Sequence, residues 1–498
     1  MNTSPLSAAV PTAALLDPVT WADATCGRLE LGDARRSRRL PAIAERLAAQ
    51  PAASLPAAVA DPALLKAAYR LLHAAFVTPE RLTAAHRAQT RAAAAQPGVT
   101  LLVQDTTEVD YTASPAVADL GPIGDGRGRG SLLHSVLAVR TEADAILGLA
   151  ALRPFLRQPQ ADRGTRAADR RQRPRESDIW GRTATAVGPP PPDATWVHVG
   201  DRGADVFTFF TACQATRSDL PIRVPQDRCA TAADGTATHV LRAARALPAA
   251  DRRPLALPAR RRDPARTATL RLGWTALTVQ PPADVRGETA VQAWVVRVWE
   301  PDPPPGVEPP EWVLLTTVPV TTGADAWERA AWYERRWLVE EYHRGLKTGC
   351  RLEASQLRDR AALWNLLGLL APMAVRLLQV RQAARTDPDH PASAVVPADV
   401  IAVVAAKTRQ PVAGMTVGTC RRPIARLGGH QGRRGDGDPG WETLWKGWRV
   451  ASRLVEGVQS AASLPGPYAA VSVLGHCPVR MGVKLRVSTW GTAARGVA

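Results

Sequence analysis

The sequence predicts an α/β protein: a helical N-terminal domain, then alternating strands and helices interrupted by a β-rich block. Three observations carry that reading. Residues 21–96 repeat apolar positions at helical spacing among many alanines and arginines. Two apolar runs, "GVTLLVQD" and "TWVHVGD", each end on an aspartate and read as buried strands. Residues 215 to about 320 hold strand-like segments such as "TATLRLGWTALTVQ" and "ETAVQAWVVRVWE" between Pro/Gly turns.

Taken in order, the N-terminal region 1–96 opens with "LGDARRSRRL", which gathers Arg35, Arg36, Arg38 and Arg39 on about one turn. A compact basic helical module fits a DNA reader, and equally an ordinary helical domain with a solvated arginine face. "GVTLLVQDTTEVDY" predicts a strand that delivers Asp105 at its end, and "HSVLAVRTEADAILGLAALR" a hairpin turning near Glu142 to Asp144. Residues 153–175 contain eight arginines and no apolar period, which predicts a mobile cationic loop. "TWVHVGDRGADVFTFF" predicts a strand ending in Asp201 and a following helix. After the β-rich block, placed at 215–325, come two amphipathic helices, "YERRWLVEEYHRGLKTG" and "LLGLLAPMAVRLLQVRQAAR". These segments make a core of 97–385. The remainder, 386–498, is Gly- and Arg-rich around "RLGGHQGRRGDGDPG" and reads as partly irregular.

The chain has 498 residues, enough for two to four domains with sizeable cores. Its net charge of +17 points to a polyanionic partner, nucleic acid first. Lysine occurs only at positions 66, 347, 407, 446 and 484, so arginine, whose planar fork suits phosphate, supplies nearly all the charge. The six cysteines form no CxxC pair, which argues against a zinc site and a secreted disulfide framework. The N-terminus lacks the basic start and apolar core of a signal peptide, and no run of about 18 apolar residues exists. The expectation is a cytoplasmic chain with no membrane association.

The helix at 333–349 carries the most information. On a wheel, Tyr333, Arg336, Glu340, Arg344 and Lys347 share a stripe roughly 80° wide, opposite Trp332, Val339, Tyr342 and Leu346. The plain reading is a solvated face with i,i+4 ion pairs around Glu340. The functional reading joins Glu340 to Asp105 and Asp201: three carboxylates from two strand ends and a helix, hard oxygen ligands for Mg²⁺ or Mn²⁺. Two such ions about 4 Å apart can drive in-line phosphoryl transfer, with the cationic stripe facing phosphates. Each acid has an alternative: Asp105 as a turn cap, Asp201 as a helix N-cap, Glu340 as an ion-pair partner with Glu341 the rival ligand.

These segments resemble the bacterial cut-and-paste transposases of the insertion-sequence-four family, the hairpin-forming group to which the transposon-Tn-five enzyme belongs. The match is carried by "QDTT" at 104–107, "GDRGAD" at 200–205 and the Y-x2-R-x3-E-x6-K spacing of Tyr333, Arg336, Glu340 and Lys347. "LGDARRSRRL", "RGSLLHSVL", "EWVLLTT" and "PMAVRLLQVR" agree more weakly, and together the segments span roughly residues 20–385. The resemblance implies a ribonuclease H-like core, a mixed five-stranded sheet with flanking helices, carrying a β-rich insertion. It implies a catalytic and metal-binding triad of Asp105, Asp201 and Glu340 holding Mg²⁺ (Mn²⁺ substituting), with two ions. It gives DNA contacts to Tyr333, Arg336, Lys347 and Arg344, base stacking to Trp312, and a further DNA contact to Arg223. Strand nicking, hairpin formation and resolution, and strand transfer would follow, by a homodimer holding terminal repeats and target DNA without a small-molecule cofactor. The region 386–498 is a candidate dimerisation unit, although it shows no obvious match to the family's dimerisation helices. Two alternatives stay open: a DNA-binding repressor remnant, and a metal-dependent nuclease without strand transfer.

Overall fold

Two helices of the N-terminal region, those capped by Asp33 and Asp61, begin where an acid precedes an apolar stripe. Four helices of this region, α1 (Pro18–Cys26), α2 (Ala34–Ala49), α3 (Pro62–Leu72) and α4 (Ala84–Ala94), surround one core. Asp33 caps α2 by accepting the Arg35 N–H at 2.7 Å, and Asp61 caps α3 by accepting that of Leu64 at 2.6 Å. Leu40, Ile43, Ala44 and Leu47 of α2 are buried while Arg35, Arg38 and Arg39 face solvent. The computed structural model describes residues 18–462 apart from 115, 143, 158–174, 258–263, 284, 286, 387, 395 and 434–438. Most of the arginine-rich 153–175 loop therefore lies outside the described residues.

The first sheet is mixed. It contains β1 (Gly98–Asp110), β2 (Gly121–Ile123), β3 (Gly128–Arg140), β4 (Ala145–Phe155) and β5 (Ala194–Val199). The long β3 pairs antiparallel with β1 on one edge, and with β2 and β4 on the other. On the far edge of β1, β5 runs parallel to it, from Gly98 opposite Ala194 to Val103 opposite Val199. Asp105 and Asp201 each lie two residues beyond that last pair. Side chains on a strand alternate, so two residues on restores the same face. Asp105 is not at a strand end as expected. It sits inside β1 opposite Ser135, because the β1–β3 ladder outlasts the β1–β5 ladder and runs to Asp110.

Helices α5 (Ile179–Val187) and α6 (Phe207–Ala215) flank β5, and isolated parallel bridges then tie β5 to β6 (Pro221–Arg223). β6 also pairs antiparallel with β12 (Glu311–Thr316), joining the first sheet to the second. That second sheet holds β6, β7 (Cys229–Ala232), β8 (Ala237–His239), β9 (Asp251–Leu257), β10 (Arg266–Val279), β11 (Val291–Trp299) and β12, with helix α7 (Val240–Arg245) after β8. The expected β-rich block is thus one sheet, and its last strand reaches the first through β6.

The segment 333–349 is not one helix. α8 (Gly323–Glu334) ends, Arg335 and Arg336 form a tightened turn, and α9 (Trp337–Arg344) follows. Residues Gly345–Gly349 then form a widened π-helical turn closed by the Cys350 N–H on the Gly345 carbonyl at 2.8 Å. Trp332, Val339, Tyr342 and Leu346 are buried as the wheel requires.

Helix α10 (Arg360–Thr386) differs from expectation too: it is buried on nearly all sides rather than amphipathic. Its span Arg360–Gln382 is long and apolar enough to cross a membrane, yet 83% of the most apolar window is buried within the protein. Three polar residues tie it to its neighbours. Asn365 donates to the Leu72 carbonyl and Gln379 to that of Ile146, and Arg381 pairs with Glu341 of α9. The C-terminal region is helical where irregular chain was expected, with α11 (Ala398–Thr408), α12 (Val417–Leu427) and α13 (Trp441–Ala462). Val400, Ile401, Val404, Cys420, Ile424 and Ala451 give it a separate core. A Cβ on Gly447 would stand 1.7 Å from the Ile424 carbonyl oxygen, so only glycine permits this approach of α12 and α13.

Beneath Asp105, on the opposite face of β1, lies a buried polar chain. The Gln104 amide joins His198 at 2.6 Å and His134 at 2.9 Å, and His134 also meets the Thr106 hydroxyl at 2.8 Å. Trp180 stacks edge-on against His134, with ring centroids 4.9 Å apart. Burial lowers both histidines from the usual 6.5 to about 3; the positive charges of His343 and Arg153 add to this at His134. Their unfolded forms take up a proton that the folded forms refuse. The resulting stability is complete above about pH 6.5 and drains away as pH falls toward 3. Thermal midpoints measured from pH 7 to 4 are expected to fall. His134→Leu is expected to start lower at pH 7 but descend less steeply; a parallel descent would exclude His134 as a source.

Candidate active site

The site forms where β1, β5, β12 and α9 meet. Asp201 follows β5, and its Oδ1 accepts the Gly203 N–H at 2.8 Å, capping a short turn at Arg202–Ala204. The N-cap alternative for Asp201 is therefore real, but it uses one oxygen and leaves the other. The cap alternative for Asp105 does not hold, since Asp105 lies in mid-strand. A Cβ on Gly200 would meet that of Ala204 at 2.3 Å, so glycine is needed for the chain to turn this tightly after β5.

Electrostatics tie the acids together. Burial raises the Asp201 carboxyl above the usual carboxylate range, and the charges of Asp105 and Glu340 push it further; the Gly203 N–H and Arg336 oppose this. Glu340 is half exposed and pairs with Arg336 at 2.5 Å, so the ion-pair alternative for Glu340 also describes the structure. Its rival Glu341 is buried against Arg381 of α10 and faces away from the other acids. Among the described residues, no three His, Cys, Asp or Glu side chains are grouped to grip an ion as they stand. Asp105, Asp201 and Glu340 nonetheless have the donor chemistry for a hard divalent cation, and the strain at Asp201 is the kind a cation relieves.

The cationic stripe is rearranged. Tyr333 is buried at 6% exposure, with its hydroxyl bonded to Arg336 and its ring edge-on to Trp312 at 5.4 Å. Burial raises the Tyr333 hydroxyl, against the lowering charges of Arg336 and Arg223. Arg223 of β6 donates to the Glu311 carbonyl at 3.0 Å, beside Trp312. Asp105, Asp201, Glu340, Arg336, Tyr333, Trp312 and Arg223 thus form one neighbourhood. Lys347 does not share the Arg336–Glu340 pair: from within the π turn its Nζ stands 3.8 Å from Glu353 Oε1, which also accepts the Asp110 N–H at 3.0 Å. Arg344 is exposed and makes no ion pair among the described residues.

Sequence reasoning missed His343. It is buried, and its Nδ1 lies 3.7 Å from Asp105 Oδ2. The available signal was its position three residues after Glu340, which puts both on neighbouring turns of α9. The Asp205–Arg228 ion pair at 2.5 Å was missed as well; Asp205 is wholly buried and anchors the loop after Asp201 to the segment before β7.

The fold places an aspartate within β1, a second after β5 and a glutamate on α9 within electrostatic reach of Asp201, with Arg336 among them. Three family models match the chain in order: Transposase DNA-binding over residues 18–77, Transposase DDE domain over 146–375, and Transposase Tn5 dimerisation domain over 372–466. The chain belongs to the DDE transposases of the Tn5-like insertion-sequence-four family. The DDE match includes Asp201 and Glu340 and begins after Asp105. The dimerisation match falls on the C-terminal region read from the sequence as a possible dimerisation unit, and α11, α12 and α13 lie within it.

The two neighbouring glutamates separate by experiment. Glu341→Ala removes the carboxylate buried against the Arg381 guanidinium and is expected to cost about 3 kcal/mol of stability. Glu340→Ala is expected to change stability by less than about 1 kcal/mol, because its pair is partly solvated. Denaturant midpoints that rank the two the other way would exchange their roles.

Proposed function

We propose that this transposase moves an insertion sequence by a cut-and-paste route, with Asp105, Asp201 and Glu340 as its catalytic carboxylates in a ribonuclease H-like core. The observation that carries the reading is the parallel register of β1 and β5, which sets Asp105 and Asp201 each two residues beyond the Val103–Val199 pair, with the DDE match spanning Asp201 and Glu340. The strand order β4-β3-β1-β5, continued by bridges to β6, supports the core assignment. Mg²⁺, or Mn²⁺ in its place, would be held by the three acids as a pair of ions, and supplies Lewis acidity at the scissile phosphate.

The protein's own groups do the positioning. Arg336 occupies Glu340 in the free protein and is the cation nearest the acids, so it is suited to exchange that carboxylate for a DNA phosphate. Tyr333 supports Arg336 through its hydroxyl. Arg344 and Lys347 extend the phosphate contacts along α9 and beyond, and Arg223 adds one from β6. Water attacks one strand at the element end, releasing a 3′-hydroxyl and a 5′-phosphate. The 3′-hydroxyl attacks the opposite strand to give a hairpin, water reopens it, and the same hydroxyl attacks target DNA. Trp312, half-buried against Tyr333, would receive the base that hairpin strain extrudes. The N-terminal helices, with Arg35, Arg38 and Arg39 exposed, would hold the terminal repeats, and two copies would hold the paired ends.

Asp105→Ala, Asp201→Ala and Glu340→Ala are each expected to lower Mg²⁺-dependent nicking of a duplex carrying the element's terminal repeat by more than about 10³-fold. Filter binding to the same duplex is expected to persist. Full cleavage in any one variant removes that acid from the site, and cleavage without later joining in the wild type would leave only a nuclease. Trp312→Ala is expected to leave the first nick within about threefold and to cut hairpin yield on a denaturing gel by at least tenfold. Equal loss at both steps would return Trp312 to a packing role.

A further inference from the structure

His343 is a buried imidazole that packing alone does not explain. Its side chain is 5% exposed, its ring tilts against Tyr342 at 5.4 Å, and its Nδ1 stands 3.7 Å from Asp105 Oδ2. That separation is beyond a hydrogen bond but within ion-pair range, and a small side-chain rotation closes it. Its other nitrogen, Nε2, is buried with no hydrogen-bond partner among the described residues, whereas buried polar atoms as a rule have one. The Asp105 face of β1 is the one that α9 covers, since Asp105 lies opposite Ser135 and His343 of α9 comes within 3.7 Å of Asp105. Of the other buried histidines, His134 and His198 lie on the opposite face of β1 and bond to Gln104 and Thr106, with His198 Nε2 also left without a partner among the described residues, while His86 of α4 accepts the Leu149 N–H at 3.0 Å. His343 is therefore the histidine turned to the acids, and it sits on the same helix as Glu340.

We propose that His343 is a positioning residue for Asp105. With its proton on Nδ1 it holds one oxygen of that carboxylate and so determines which oxygen is left for a divalent ion. The inference rests on the reading of Asp105 as a metal-binding acid. Such supporting hydrogen bonds to ligating carboxylates carry about 10–100-fold in metal affinity. Because α9 also bears Glu340, the same contact couples the helix to β1, so that two of the three acids are set together.

The test uses the full-length protein and Mn²⁺ alone, with free Mn²⁺ read by electron paramagnetic resonance. His343→Asn keeps a donor near Nδ1, and His343→Gln keeps one near Nε2. Affinity in His343→Asn is expected within about threefold of wild type, and in His343→Gln about tenfold or more weaker. Thermal midpoints are run on both, and a purely structural role would move affinity equally in the two or not at all. Either of those results overturns the proposal. Asp105→Asn is titrated in parallel. If it loses Mn²⁺ while both His343 variants retain it, only the positioning role fails; if Asp105→Asn also binds normally, the assignment of Asp105 itself fails.

Discussion

One strand pairing organises this molecule. β1 and β5 run side by side in parallel and part after Val103 and Val199, so the next residue on the same face of each strand is an aspartate. The two carboxylates thereby project from the same face although 96 residues separate them in the chain (201 minus 105). Burial first, and then the charges of Asp105 and Glu340, raise the Asp201 carboxyl. An apolar core does not hold two like charges together of its own accord; a rigid ladder does, and here the ladder is further fixed by the Gln104, His134 and His198 chain on its hidden face. Register is what that chain protects, since a one-residue slip would turn Asp105 into the core and Gln104 out.

The second constraint is the coupling of α9 to everything around it. Val339 and Tyr342 bury themselves against the sheet, Glu341 is locked to Arg381 of α10, and α10 in turn binds Ile146 of β4 and Leu72 of α3. Glu340 is thus carried on an element whose rotation is tied down from behind while its own side chain stays half exposed. That division between an anchored back and an available front suits a side chain that exchanges partners. The β6–β12 pairing does similar work on the other side, bringing Arg223 and Trp312 against Tyr333.

A basic helical module, a two-acid sheet and a helical C-terminal unit fit the three successive activities of a DNA transposase: binding, cutting and pairing. Arg336 occupies a central place in this arrangement. In the free protein it neutralises Glu340, is backed by Tyr333, and lowers the strain at Asp201. A protein with 63 basic residues needs such a device near its acids, because an unscreened arginine and an unscreened carboxylate cluster would each be unfavourable alone.

Much of this was legible beforehand. Period-two and period-3.6 patterns located β1, β3, β4, β5 and α9, because local periodicity reports which side of an element is buried. Other features were not. The break at Arg335–Arg336 and the π turn at Gly345–Gly349 separate Tyr333 and Lys347 from an ideal stripe, since a wheel assumes unbroken geometry. The helical C-terminal unit was hidden by the Gly- and Arg-rich run before α13, in which Gly428 is required because a Cβ there would stand 1.9 Å from the Thr443 carbonyl oxygen. The chain by itself determined which residue types were present, in what order, and which faces would seek the interior. Only the tertiary structure decided that Glu341 serves packing and that His343 faces Asp105, because those partners are set by which strands and helices come to lie side by side.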